Sequence, residues 1–241
     1  MPQFTKRALI SVFDKENIAE AARMLCENGW EILSTGGTAA HLRDQGIAVT
    51  EVTELTGFPQ ILDGRVKTLH PMIFGPILAR GDKDHRQQLE KRNSRYIDLV
   101  MVNFYPFENA LEDPSATETE MVEKIDIGGP SMVRAAAKNH ARVTVVVDPE
   151  DYLPVCRRLA ETGELDTASR KRLAHKAFAA TAHYDALIAA YFSGKDSHPH
   201  STFTIGGRKH LDLRYGENPH QAAALYLYSH QSPLKHMRQL Q

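Results

Sequence analysis

The 241-residue sequence predicts an α/β fold, a mostly parallel sheet flanked by helices on both faces with a short C-terminal extension. Three observations carry that prediction. The runs Leu99 to Val102 and Val143 to Val147 are almost wholly apolar and rich in β-branched residues, as in strands buried on both faces. Between such runs the apolar spacing turns helical, with Ile18, Ala21, Ala22 and Leu25 on one face. The composition, 42% hydrophobic and 24% charged, is that of ordinary globular proteins and excludes disordered, collagen-like and coiled-coil chains.

Ala8 to Phe13 reads as a short buried strand and Glu16 to Glu27 as a helix that Gly29 ends. Trp30 to Leu33 is a second strand, and Ser34-Thr35-Gly36-Gly37-Thr38 leads into a helix closing near Gly46. Ile47 to Val52 is a third strand. A long irregular region follows through Pro59, Gly64, Pro71, Gly75 and Pro76, and loops of that length in compact domains are usually functional. A polar helix around Asp84 to Lys91 precedes the strand that Pro106 stops, and helices follow near Glu118 to Lys124 and over Ser131 to Asn139. After Val147, Pro149 and Glu150 open a helix to about Glu161. Asp166 starts a longer one, with Leu173, Ala177, Thr181, Tyr184, Ile188 and Tyr191 at helical spacing, to about Phe192. Ser193 to Ser201 has linker composition. The expected division is therefore a main domain over 1–192, a linker over 193–207 and a remainder over 208–241 too poor in apolar residues for its own core.

With 29 basic and 30 acidic side chains, no global charge favours a nucleic acid or an anionic membrane. Two cysteines, Cys26 and Cys156, cannot make a disulfide framework, which points to a reducing, cytoplasmic compartment. No apolar run approaches the ~20 residues of a membrane-spanning helix, and no secretory segment is recognisable. His198 and His200 fall in the linker, and no HExxH or paired Cys/His spacing occurs, so no metal site is expected.

Four segments carry residues suited to chemistry. In Ser34-Thr35-Gly36-Gly37-Thr38 the glycines admit close approach of an anion, the hydroxyls donate, and a helix N-terminus adds free amides. The plain alternative is a tight turn with Thr38 as the helix cap. In Gly64-Arg65-Val66-Lys67-Thr68-Leu69-His70-Pro71, Arg65 and Lys67 alternate along an extended stretch beside Thr68, suiting a phosphate or a developing oxyanion; a solvated basic loop is the alternative. In Asp126-Ile127-Gly128-Gly129-Pro130-Ser131 a helix opens that carries Arg134 and Lys138 one turn apart. If Asp126 reaches Lys138, the pair could pass a proton; otherwise the segment is an N-terminal aspartate with two solvated cations. Asn103-Phe104-Tyr105-Pro106-Phe107 ends a buried strand, where parallel sheets gather ligands, or simply ends the core with aromatics.

Taken together, Lys67-Thr68-Leu69-His70-Pro71, Asn103-Phe104-Tyr105-Pro106-Phe107, Asp126-Ile127-Gly128-Gly129-Pro130-Ser131 and Arg134-Ala135-Ala136-Ala137-Lys138-Asn139-His140 closely resemble the PurH family of bifunctional purine-biosynthesis proteins. The likeness runs from near Ala8 to about Phe192, the family's IMP cyclohydrolase domain. It implies a methylglyoxal-synthase-like fold and ring closure of the formamido-imidazole carboxamide ribotide (FAICAR) to inosine monophosphate (IMP), with loss of water and without cofactor or metal. By motif position Lys67 and Tyr105 would polarise or orient the formyl group, while Asp126 and Lys138 would shuttle protons at the carboxamide nitrogen. Phosphate contacts would come from Asp14, Lys15, Thr35, Gly36, Gly37, Thr38, Arg65 and Thr68, with Asn103, Ile127 and Gly128 completing the substrate site. The resemblance also implies a homodimer.

Leu213-Arg214-Tyr215-Gly216-Glu217-Asn218-Pro219-His220-Gln221 resembles the opening of the family's AICAR transformylase domain. Arg214 and Tyr215 would be remnants of its nucleotide site. The 10-formyltetrahydrofolate cofactor would belong to the part beyond Gln241, so transformylase activity is not expected here. The sequence departs from the family pattern twice. Phe13 replaces a small polar residue, at the cost of one ligand hydrogen bond, and Phe74-Gly75-Pro76 replaces His-Gly-Gly or His-Ala-Gly, restricting a loop that otherwise has glycine freedom. Two other readings stay open: a non-catalytic purine-nucleotide-binding module, and a fragment that works only with a separate transformylase polypeptide.

Overall fold

Leu9, Leu33, Val100 and Val145 are register neighbours across four adjacent strands, and all four are fully buried. That row is the centre of a five-stranded parallel sheet, seen in a computed structural model that describes residues 5–111, 113, 115–194, 201–228 and 232–238. Residues 195–200 of the expected linker, with His198 and His200, lie outside the described residues.

The chain divides into two compact units: one holds the residues up to Tyr105 together with Asp126–Thr181, and the other holds Pro106–Ile125 and the residues from Ala182 onward. In the first unit β1 (Lys6–Ser11), α1 (Ile18–Glu27), β2 (Trp30–Ser34), α2 (Gly36–Asp44), β3 (Thr50–Glu51) and α3 (Val52–Thr56) are followed by α4 (Pro71–Leu78), α5 (Lys83–Glu90) and β4 (Leu99–Val102). In the second unit lie α6 (Phe107–Leu111) and α7 (Glu118–Glu123). The chain then returns to the first with α8 (Gly128–Lys138), β5 (Thr144–Val146) and α9 (Tyr152–Thr162). The long helix α10 (Thr167–Ser193) belongs to the first unit as far as Thr181.

The strand order is β3-β2-β1-β4-β5, all parallel. The chain therefore crosses the sheet one way from β1 to β3 and the other way from β4 to β5. Right-handed crossovers then place α1 and α8 on opposite faces. On one face α1 packs against α9, and on the other α4 packs against α8. The strands are consequently buried on both sides, as their apolar runs predict. The fold is α/β with a parallel sheet flanked by helices, as expected.

Two elements differ from the sequence reading. The third strand is cut to Thr50–Glu51, because Val52 turns inward as the first residue of α3, which Gly57 ends at φ +63°. The long irregular region contains a helix, α4, across the Phe74-Gly75-Pro76 segment read as a restricted loop. Pro71 opens it and the His70 ring accepts the Met72 amide at 3.1 Å. Gly75 adopts no left-handed conformation. Pro76 sits inside with its carbonyl taken by the Ile97 amide (3.4 Å) and by Arg142 (2.6 Å). What remains irregular is a loop closed by the Ile61–Val66 bridge, with Leu62, Asp63 and Gly64 at φ +54°, +55° and +93°.

In the second unit Phe107 is buried edge-on against Tyr184 and Tyr191, at centroid distances of 6.4 and 5.8 Å. The C-terminal extension forms an antiparallel hairpin, β6 (Arg208–Leu213) with β7 (Ala223–Leu227). Among the described residues no helix is long and apolar enough to cross a membrane.

Candidate active site

Because β1 lies between β2 and β4, the direction of winding reverses at its carboxyl end, the position where open parallel sheets bind ligands. Three connections meet there: residues 12–17 after β1, the start of α2 after β2, and Asn103 to Tyr105 after β4.

Side-chain hydrogen bonds fix this rim. The Asn103 side-chain oxygen accepts the amides of Phe13 (2.5 Å) and Asp14 (3.1 Å), and its nitrogen donates to the Asp14 carbonyl (3.0 Å) and the Tyr152 hydroxyl (2.8 Å). The Thr38 hydroxyl accepts the Val12 amide at 3.0 Å and donates to the Val12 carbonyl at 2.9 Å. Ser34 Oγ donates to the Ile10 carbonyl at 2.7 Å. Asn103 and Thr38 are thus committed to holding the loop after β1, which the sequence treats as ligand donors. The Thr38 hydroxyl satisfies both backbone groups of the buried Val12, which would otherwise be unpaired, and Asn103 holds the exposed backbone of Phe13 and Asp14.

The amino end of α2 is different. Thr35 occupies the N-cap without a side-chain bond to the helix, and Gly36 and Gly37 are exposed. Gly36 has φ +48°, and a Cβ there would lie 2.7 Å from the Lys67 Nζ. The Lys67 ammonium therefore rests on the positive end of a helix, where only an anion relieves the repulsion. Burial holds Lys67 below the usual lysine range, and Glu51 offsets this only in part.

The next residue serves a second helix. A Cβ on Gly128 would lie 2.8 Å from Thr68 Oγ1 and 3.9 Å from Asp126 Oδ1. Thr68 is buried, and Asp126 Oδ1 accepts the Gly129 amide at 2.8 Å. A Cβ on Gly129 would overlap the Asp126 carboxylate. Burial raises the Asp126 carboxyl above the usual range, while the Gly129 and Gly128 amides work against it. Lys67 and Thr68, adjacent in a bent stretch of chain, thus bring together the amino ends of α2 and α8.

At the rim Phe13 meets Tyr105 edge to face, with centroids 4.9 Å apart and planes at 80°. Phe13 is 50% exposed, and the Ile127 side chain is exposed as well. Asp14 Oδ1 takes the Glu16 amide at 2.9 Å, and Lys15 Nζ donates to the Phe13 carbonyl at 3.2 Å. Arg65 is exposed after the Leu62–Gly64 turn. Lys138 is exposed in the last turn of α8, roughly 15 Å along the helix axis from its start. The one-turn spacing of Arg134 and Lys138 therefore does not bring Asp126 to Lys138, because the aspartate sits before the first turn. Arg134 lies over the Phe178 ring, 5.8 Å from its centroid. Arg214 and Tyr215 are exposed just beyond β6, in the second unit. Sequence reasoning missed Tyr152, whose hydroxyl anchors Asn103, and Glu51, which faces Lys67; neither lies in a recognisable motif.

Among the described residues no three His, Cys, Asp or Glu side chains cluster as metal ligands. A five-stranded parallel sheet of this order, open at its switch point, belongs to the MGS-like class: the family model of the MGS-like domain matches residues 17–131. A second model, of the AICARFT/IMPCHase bienzyme, matches residues 136–241. The bifunctional purine biosynthesis proteins PurH of Desulfitobacterium hafniense strain DCB-2 and Halalkalibacterium halodurans are each 53% identical, over 230 and 225 residues. In both cases 92% of this chain and 44% of the relative are covered. The crystal structure of ForH superposes with a TM-score of 0.71 at 38% identity, covering 78% of this chain and 98% of that one. The chain belongs to the PurH family of purine biosynthesis and spans less than half the length of these curated relatives.

Proposed function

We propose that this chain is an IMP cyclohydrolase that closes FAICAR to IMP. The observation that carries the reading is the convergence of Lys67 on Gly36 with Thr68 and Asp126 on Gly128 and Gly129, at the carboxyl end of the sheet. It unites two of the four motifs shared with the family with the Ser34 to Thr38 turn. The MGS-like and IMPCHase family matches support the same assignment.

In the reaction the carboxamide nitrogen attacks the formyl carbon, and the formyl oxygen leaves as water. The carboxamide nitrogen gives up one proton and the formamido nitrogen the other. Both groups already sit on neighbouring ring atoms, so the protein's task is to hold one rotamer, stabilise the oxyanion and move protons. The amides of Gly36 and Gly37 hold the ribotide phosphate at the amino end of α2. Lys67, beside them, neutralises negative charge between the phosphate and the formyl oxygen, and Tyr105 orients that oxygen from the rim. Asp126, with its raised proton affinity, takes the carboxamide proton. Lys138, at the far end of α8, is given no step. None of these steps calls for a cofactor.

Incubation with FAICAR is expected to give IMP, followed by ultraviolet absorbance. Lys67→Ala is expected to lose roughly 100-fold or more in kcat/KM, the size of losing one oxyanion-stabilising donor. Asp126→Asn, which keeps an acceptor for the Gly129 amide, is expected to lose turnover with an unchanged melting temperature. Binding of IMP by a folded chain without any turnover would instead establish a non-catalytic nucleotide-binding module.

A further inference from the structure

At the opposite end of the strands, where β1 begins and the chain enters β4, lies a cavity of about 310 Å³ that the cyclohydrolase reading does not use. It is lined by Lys6, Arg7, Arg86, Ser94, Arg95 and Tyr96, with Glu90 and Asp98 as its acidic neighbours. The volume is that of a small-molecule site. Roughly 17 Å of strand separates it from the crevice at the carboxyl ends.

Two buried polar atoms in its wall have no hydrogen-bond partner: Nη1 of Arg7 and Oγ of Ser94. Only three side-chain atoms among the described residues are in that condition, and two of them meet at this cavity. Arg7 is 6% exposed and Ser94 4%. Folded proteins rarely leave such donors unpaired, so their concentration in one wall calls for an acceptor. Two nearby carboxylates are already engaged. Glu31 takes Nε and Nη2 of Arg7 at 3.0 and 2.9 Å and also pairs with Arg95. Asp98 accepts the Arg7 amide and the Arg142 guanidinium, both at 3.1 Å. What the wall leaves over is one guanidinium nitrogen and one hydroxyl, within a rim that carries Lys6, Arg86 and Arg95 as well as Glu90; Lys6 donates to the Gly163 carbonyl and Arg95 to Glu31.

We infer that this cavity binds a small oxyanion, a phosphate or carboxylate group that accepts from Arg7 and Ser94. The charge-assisted bonds of a guanidinium to such an oxygen are the strong ones, and a hydroxyl completes the set. Trp30, the sole tryptophan, has the Lys6 Nζ 5.5 Å from its ring centroid and reports on this wall.

The test is titration of the full chain with inorganic phosphate and, separately, with citrate, followed by Trp30 fluorescence and calorimetry. It is run in the wild type and in Lys67→Ala, which removes the cation at the other crevice. Saturable one-to-one binding is expected in Lys67→Ala, and the same binding in the wild type alongside that of the Gly36 and Gly37 amides, with the stronger of the two probes in Lys67→Ala identifying a phosphate or a carboxylate ligand. Ser94→Ala and Arg86→Gln are each expected to weaken it at least fivefold. Ser94→Ala should do so while leaving the melting temperature of the unliganded protein equal or higher, since it removes a buried unpaired hydroxyl. No saturable binding in Lys67→Ala, or binding that both Ser94→Ala and Arg86→Gln leave unchanged, would overturn the inference.

Discussion

The exposed and the satisfied side chains divide the predicted site. Thr38 was legible as a hydroxyl at a helix start and Asn103 as a polar residue at a strand end, but the bonds they make were not. A motif records that a hydroxyl or amide is present, and only the packed loop shows that Val12, Phe13 and Asp14 consume it. Lys67, Thr68 and Asp126 were legible as residues suited to chemistry, because a cation, a hydroxyl and an acid stand beside glycines near helix starts. The separation of Lys138 from Asp126 was legible only once Gly128 rather than Ser131 proved to open the helix. Lys67 also makes a pH prediction. Its ammonium titrates in the folded protein below the value of about 10.4 expected of an unfolded chain. Between those two values the unfolded chain binds more protons, so this residue's contribution to stability grows as pH rises. Urea unfolding between pH 8 and pH 10 should show a shallower alkaline gain in Lys67→Met than in the wild type. A steeper gain in the variant would contradict the assigned burial.

Strands and long helices followed from periodicity because β-branched runs and helical spacing are strong signals. The element that escaped was α4, since Gly75 and Pro76 are individually helix breakers. It forms because Pro71 and His70 make a good start, while Ile73, Pro76 and Ile77 bury one face. This corrects the view that Phe74-Gly75-Pro76 restricts a loop. In a helix Gly75 is a weakness rather than a need: it has no left-handed φ, and a Cβ there would meet only Leu89 Cδ2, at 3.9 Å. Gly75→Ala is expected to stabilise the protein by about 0.5–1 kcal/mol, measured by the urea midpoint. A destabilised variant would mean that the segment is not helical in solution.

On the scale of the whole sheet, one guanidinium joins several layers. Arg142 donates to Asp98 at 3.1 Å and to the carbonyls of Pro76 (2.6 Å), Ile77 (3.2 Å), Ala79 (2.9 Å) and Ile97 (3.1 Å). It also lies 4.3 Å from the centroid of the Tyr96 ring. It thereby pins the end of α4 to the approaches of β4 and β5, a role that no motif announces. Arg142→Leu strands the Asp98 carboxylate together with those carbonyls and is expected to cost about 3–5 kcal/mol in equilibrium unfolding. A loss under 1 kcal/mol would show that solvent replaces these bonds.

The neighbouring pair that serves two helix starts has a consequence for how the protein tolerates change. Lys67 and Thr68 follow directly on the Ile61–Val66 bridge and reach different helices, so their phase, meaning which of the two serves which helix, is set by that bridge. Lengthening the turn inside that bridge leaves the phase intact. Adding or deleting one residue between Val66 and Thr68 exchanges cation for hydroxyl at both helices, so natural variation in this stretch should collect within the turn and spare the two positions beyond it.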